Sequence, residues 1–116
     1  MSAPRSLLRV TEIEVETPAA RVFSVAGELD LATVGQLRDS VSPAIGPTAR
    51  VVLDLSETTF CDSTGLGALV GLHRQSRDVG GVLVLAAPRK RVADLLELSG
   101  VNQVIEVFPT REKAVL

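Results

Sequence analysis

Residues 51–71 read VVLDLSETTFCDSTGLGALVG. Val51, Val52 and Leu53 form a short apolar run rich in β-branched side chains, which reads as a buried strand ending at Asp54-Leu55. Ser56, Glu57, Thr58 and Thr59 are polar and read as a loop, which Phe60-Cys61 pins back to an apolar surface. Asp62-Ser63-Thr64-Gly65 then carries the short polar side chains of a helix start. Beyond it Leu66, Leu69 and Val70 recur at helical spacing. A strand therefore delivers a loop, and the loop delivers Ser63 to the exposed N-terminus of a helix.

The first backbone N–H groups of a helix lack intrahelical partners, and the helix dipole adds partial positive charge there. A phosphate on a residue in this position is compatible with the helix and even favoured by it. On a wheel with ~100° per residue and Ser63 at zero, Gly67 falls at about 40°, Gly71 at about 80° and Arg74 at about 20°. Leu66, Leu69 and Val70 lie between about 240° and 340°. The predicted helix turns its apolar stripe inward and leaves an outer face of Ser63, Gly67 and Gly71, nearly bare of side chains. A glycine in mid-helix costs ~1 kcal/mol relative to alanine. Two on one exposed face suit the close approach of a partner.

Upstream, residues 7–15 (LLRVTEIEV) alternate, with Ile13 and Val15 on one face and Glu12 and Glu14 on the other, as in a half-exposed strand. Thr17-Pro18-Ala19-Ala20 turns the chain, and residues 21–26 (RVFSVA) alternate again, so a hairpin is expected. Gly27-Glu28-Leu29-Asp30 closes the second strand. Asp30 is placed to N-cap a helix over 31–45, with a stripe of Leu31, Val34, Leu37, Val41 and Ile45 and a stop at Gly46-Pro47. Downstream, Gly80-Gly81 ends the helix that begins near Ser63. Residues 82–86 (VLVLA) form a continuous apolar strand, buried on both faces. Pro88 opens a third helix through Leu98, with Val92, Leu95 and Leu96 inward and Gly100 as its stop. Residues 104–107 read as a fifth strand and 109–116 as a short helix or turn. The order β-β-α-β-α-β-α-β-α predicts an α/β fold: a small mixed, mostly parallel sheet with helices.

A chain of 116 residues with 46% hydrophobic content suits one domain, residues 1–116, with a single core. Aromatics are limited to three Phe, so that core must be aliphatic. A net charge of −2 argues against a nucleic-acid binder, which needs a basic face. A single cysteine forms no internal disulfide and fits a reducing, cytoplasmic setting. No apolar run approaches the ~20 residues of a membrane span, and no signal-peptide core is present.

FCDSTGLG after an apolar strand, together with the upstream Gly27-Glu28-Leu29-Asp30, resembles the anti-anti-sigma factors, the anti-sigma factor antagonists of the STAS domain family. The resemblance runs from about Leu7 to the end and rests on the pairing of the two motifs. It implies the same small mixed sheet with helices. It also implies a protein that, unphosphorylated, binds an anti-sigma factor and so frees a sigma factor. The anti-sigma factor is typically a serine kinase that inactivates the antagonist, and a serine phosphatase restores it. Such a chain is not an enzyme and holds no cofactor; ATP and Mg²⁺ belong to the kinase. In the family the serine directly after the aspartate of this motif is phosphorylated, which points to Ser63, with Thr64 as the fallback acceptor. Asp30, Asp62, Thr64, Gly67 and Gly71 fall in the implied partner surface.

Other readings stand beside this one. From local chemistry alone Ser63 is an ordinary first-turn serine, and Asp30 and Asp62 are helix caps. The STAS chain of another phospho-signalling assembly would carry the same motifs. Asp54 at a strand end suggests a phospho-receiver domain. That chemistry also needs an acidic pair after the first strand to hold Mg²⁺ and a lysine after the last. Here Glu28 and Asp30 follow a hairpin, and after Val107 no lysine occurs until Lys113 in the tail, which favours a polar strand end. Gly65, Gly67 and Gly71 miss the dinucleotide spacing by one position. Ser63 lacks a nucleophile elbow, and His73 falls in the apolar stripe as a packing residue. One His and one Cys do not make a metal site, and Cys61 reads as a small buried residue. Arg89-Lys90-Arg91 reads as a solvated turn or a contact to an acidic partner.

Overall fold

β2, Ala20–Leu29, is the strand on which the sheet is assembled. In the computed structural model, which describes residues 8–15 and 20–116, it pairs along one side with β1, Leu8–Ile13, in antiparallel register from Leu8↔Gly27 to Ile13↔Val22. The predicted hairpin is therefore present, although most of its turn lies outside the described residues. Along its other side β2 is shared. Its first half pairs in parallel with β3, Arg50–Asp54, and its last residues pair in parallel with β4, Thr58–Cys61. β5, Val82–Ala86, and β6, Val107–Phe108, extend the parallel sheet in the order β1-β2-β3-β5-β6.

The helices are α1, Val34–Val41; α2, Ser63–Asp78; α3, Lys90–Ser99; and the one-turn α4, Arg111–Ala114. The inner stripes of α1, α2 and α3 join Phe23, Val25, Val51, Leu53, Leu83 and Leu85 in one large aliphatic core. Each of these helices crosses between parallel strands, so each must bury an apolar stripe on the sheet. The opposite face carries a smaller cluster of Val22, Val52, Val84 and Ala86, closed by Ala114 of α4, with Ile13, Val15 and Phe108 packed at its edge.

α4 is too short to hold itself and is tied down by side chains. Arg50 Nε donates to Ala114 O at 2.8 Å, and Arg111 Nε donates to Asp54 Oδ2 at 2.9 Å. Asp54 is buried, and its Oδ1 accepts from Ser56 N at 2.9 Å. Burial pushes its carboxyl pKa up, but the hydrogen bonds from Ser56 and the Arg111 guanidinium outweigh burial and hold it below the ordinary carboxylate value.

Three elements depart from the sequence pattern. The helix expected over 31–45 begins only at Val34, because Asp30 closes a separate turn first: Thr33 N and Val34 N both donate to Asp30 O. Leu31, expected inward, is 79% exposed. That helix also stops early, at Val41, and tightens into a 3₁₀ turn over Ser42–Ala44, since Pro43 has no N–H for the α-ladder. The expected loop over 56–59 is partly β4. Its Thr58 hydroxyl donates to Val25 O at 2.6 Å, and one extra residue, Thr59, is taken up where Gly27 adopts a φ of 120°. Cys61 turns inward there, but Phe60 is exposed rather than pinned to the core. The fifth parallel segment is shorter and later than expected: residues Val101–Gln103 form a 3₁₀ turn, buried Ile105 plugs the core, and only Val107–Phe108 pair. A short apolar run does not by itself distinguish strand from turn.

Two predictions follow from packing and charge. A Cβ on Gly65 would stand 2.7 Å from Leu29 O and 2.8 Å from Cys61 Sγ, whereas a Cβ on Gly67 meets nothing within 4 Å. Gly65→Ala should therefore destabilise by ~1–3 kcal/mol, and Gly67→Ala should stabilise by up to ~1 kcal/mol. Chemical denaturation checks both, and equal signs contradict the packing. For Asp54, a lowered folded pKa means its stabilisation is present above the unfolded value of ~3.9 and is lost as pH falls through the folded value. The stability gap between the parent chain and Asp54→Asn should be widest near neutrality and shrink on acidification below pH ~4.

Candidate functional site

The last pairing of β2 with β4 is Leu29↔Cys61, and one step later Asp62 N donates to Leu29 O at 3.2 Å. The two chain segments thus leave the sheet side by side, one as Asp30 and the other as Asp62-Ser63. The motifs at 27–30 and 60–67, far apart in sequence, meet here at the C-terminal ends of parallel strands.

Asp62 has extended backbone, and its Oδ1 accepts from Gly65 N at 2.9 Å, while Leu66 N donates to Asp62 O at 2.9 Å. Asp62 is the N-cap of α2, so capping does not use the Ser63 hydroxyl. Ser63 opens the helix and is exposed, with Thr64 half-buried behind it. Gly67 and Gly71 are exposed on the same helix, with open space where their side chains would be. Leu66, Ala68, Leu69 and Leu72 are buried beneath them. The bare outer face expected from the wheel is present.

Asp30 is half-buried beside this helix start. Its Oδ1 accepts from Ala32 N at 3.0 Å, a side-chain turn typical of aspartate. Its N–H donates to the Thr33 hydroxyl at 3.1 Å, and that hydroxyl donates onward to Glu28 O at 2.7 Å. The expectation that Asp30 caps the helix is corrected: the N-cap position falls on Thr33, which makes no side-chain cap bond, and Asp30 instead closes the preceding turn. Thr33, buried and central to that turn, was not marked by hydrophobic periodicity. The spacing Asp-x-x-Thr was its only signal.

The remaining candidates take structural places. Cys61 is buried, and burial together with the neighbouring Asp62 charge pushes its thiol up to about 11, so it is not a thiolate near neutrality. Asp54 is engaged by Arg111 and Ser56 on the far side of the sheet core, not presented to solvent as a phospho-acceptor. His73 lies ten positions along α2 from Ser63, ~15 Å of helix, so the two form no hydrolytic set. Within the basic cluster, Arg89 donates to Ser56 O at 2.8 Å and Lys90 pairs with Asp94 at 2.8 Å. Arg91 edges a shallow cleft with Phe60, Val92 and Leu95. Among the described residues no helix is long and apolar enough to cross a membrane.

Residues 12–114 match the STAS domain family. An anti-sigma-B factor antagonist of Listeria monocytogenes is 33% identical over 95 residues, covering 81% of this chain and 82% of its own length. Among solved structures, an anti-sigma factor antagonist from Mycobacterium paratuberculosis superposes with a TM-score of 0.79 at 25% identity, covering 99% of this chain and 96% of that one. SpoIIAA, an anti-sigma factor antagonist, matches in its unphosphorylated form with a TM-score of 0.72 at 28% identity (94% of this chain, 93% of that one). The phosphorylated form of the Bacillus protein matches with a TM-score of 0.66 at 27% identity (94% and 96%). The sheet order, the paired motifs at its C-terminal edge and a match that spans nearly the whole sequence agree: this chain belongs to the STAS domain family.

Proposed function

We propose that this protein is a cytoplasmic anti-sigma factor antagonist. Unphosphorylated, it binds an anti-sigma factor and so releases a sigma factor for transcription. Phosphorylation of Ser63 by that partner, acting as a serine kinase, ends the interaction, and a serine phosphatase restores it. The chain itself carries no catalysis and needs no cofactor. One observation carries this reading: an exposed serine, its hydroxyl spared by the Asp62 cap, opens a helix whose outer face is Gly67 and Gly71. A kinase needs access to the hydroxyl, and a binding partner needs close approach to the same face. Both needs are served by one surface. The similarity to proteins named as antagonists, one of them solved in both phosphorylation states, supports the reading.

Asp30, Asp62 and Thr64 border the surface and belong to the proposed contact. Asp30 holds the turn beside Ser63, and Asp62 fixes the serine's backbone at the helix start. On this reading ATP and Mg²⁺ belong to the partner kinase.

The test has two arms. The unphosphorylated chain, immobilised in a cell extract, should capture an anti-sigma factor identified by mass spectrometry, and the purified partner with ATP should place phosphate on Ser63. Ser63→Ala should abolish that labelling; full labelling of Ser63→Ala would move the acceptor to Thr64 or elsewhere. In the second arm Gly67→Leu and Gly71→Leu should fold normally, since both sites are open, yet bind the purified partner at least ~10-fold more weakly. Unchanged affinity in folded variants would place the interface on another face.

A further inference from the structure

Leu31 is 79% exposed, although the apolar pattern assigns it to an inner stripe. The turn that carries it is not slack. Asp30 Oδ1 holds Ala32 N at 3.0 Å, Asp30 O holds Thr33 N and Val34 N at 3.1 and 3.0 Å, and the buried Thr33 hydroxyl reaches Glu28 O at 2.7 Å. The backbone under Leu31 is fixed before any partner arrives, so little ordering entropy remains to be lost there on binding. The position also matters. Leu29 O, two residues before Leu31, accepts from Asp62 N, one residue before Ser63. Leu31 and Ser63 therefore each follow, by two residues and by one, the point where the two segments are hydrogen-bonded.

The surroundings are acidic: exposed Glu28 and half-buried Asp30 and Asp62 lie at the same two strand ends as Leu31 and Ser63. A single exposed leucine is ordinary on a protein surface. A leucine on a rigid turn, among carboxylates, beside a helix face stripped of side chains, combines the features of a contact anchor: apolar reach at the centre, charge at the edge and no steric barrier alongside.

We infer that Leu31 is an apolar anchor for the anti-sigma factor, filling a pocket on that partner edged by lysine or arginine side chains. The inference rests on the reading of the chain as an anti-sigma factor antagonist and adds to it the residue that selects the partner. Burial of the leucine supplies affinity, and the carboxylates around it answer a basic rim, which steers approach and fixes register. Because Leu31 lies outside both apolar clusters, replacing it leaves the fold in place.

The test measures affinity for the purified anti-sigma factor identified by the capture experiment, using the full chain. Leu31→Ala should bind at least ~10-fold more weakly, while Leu31→Met should stay within about threefold of the parent. Leu98→Ala, which removes an equally exposed leucine at the C-terminal end of α3, should not change affinity. All variants should melt as the parent does. Leu31→Lys should bind more weakly than Leu31→Gln, because its cation meets a basic rim. Binding by Leu31→Ala within about twofold of the parent overturns the anchor. Leu31→Lys binding as well as or better than Leu31→Gln overturns the basic rim. If the parent chain binds no anti-sigma factor at all, the antagonist reading fails and the anchor fails with it.

Discussion

The first turn of α2 rests on the end of β2 with no room for a side chain between them. Gly65 makes this possible: a Cβ there would sit inside contact distance of Leu29 O and Cys61 Sγ. The nearest atom is a backbone carbonyl oxygen, which cannot give way by rotating a side chain. This contact fixes where the helix starts relative to the sheet. From that follow the Asp62 N–H bond to Leu29 O, the Asp62 cap on Gly65 N, and the emergence of Ser63 beside Asp30. The site is thus built from the ends of two parallel strands and one helix, and its geometry comes from the same packing that closes the core.

Such a rigid platform has a consequence for a phosphate on Ser63. The modification adds about −1.5 to −2 charges at neutral pH. The helix N-terminus attracts that charge by ~0.3–1 kcal/mol, and the Asp62 carboxylate repels it. The two effects oppose each other within one turn, so the fold has little reason to respond. A partner pressed over Gly67 and Gly71 has no such compensation. It would meet a bulky dianion at a surface it must desolvate, and an unmatched charge there costs several kcal/mol. A loss of ~3 kcal/mol is already more than a hundredfold in affinity. On the proposed reading, the switch therefore lies in the contact surface and not in the domain's stability.

Much of this was legible in the sequence because the governing signals are local. Alternation in residues 21–26, the apolar run at 82–86 and the helical spacing of Leu66, Leu69 and Val70 each reflect one residue's burial at a time. The polar cap Asp62 and the exposed Gly67 and Gly71 could likewise be placed on a wheel. What was not legible depends on contacts across the chain. β4 exists because β2 continues past β3 and needs a partner; its residues, Thr58 and Thr59, are polar, and only their β propensity hinted at a strand. The late start of α1 depends on Thr33 reaching Glu28 O, a bond invisible to periodicity. Ile105 looked like a strand residue because a buried plug and a strand share the same apolar run. The reason for Gly65 was also hidden, since Gly65, Gly67 and Gly71 look alike in sequence and only the first is forced by packing.

The most direct test of a surface switch is a paired measurement on the unmodified and Ser63-phosphorylated protein: thermal melting and affinity for the purified anti-sigma factor. Melting temperatures should agree within a few degrees, while affinity should fall by about two orders of magnitude or more. A large drop in melting temperature with loss of helical circular dichroism would contradict the account, because it would place the switch in the fold and not at the contact.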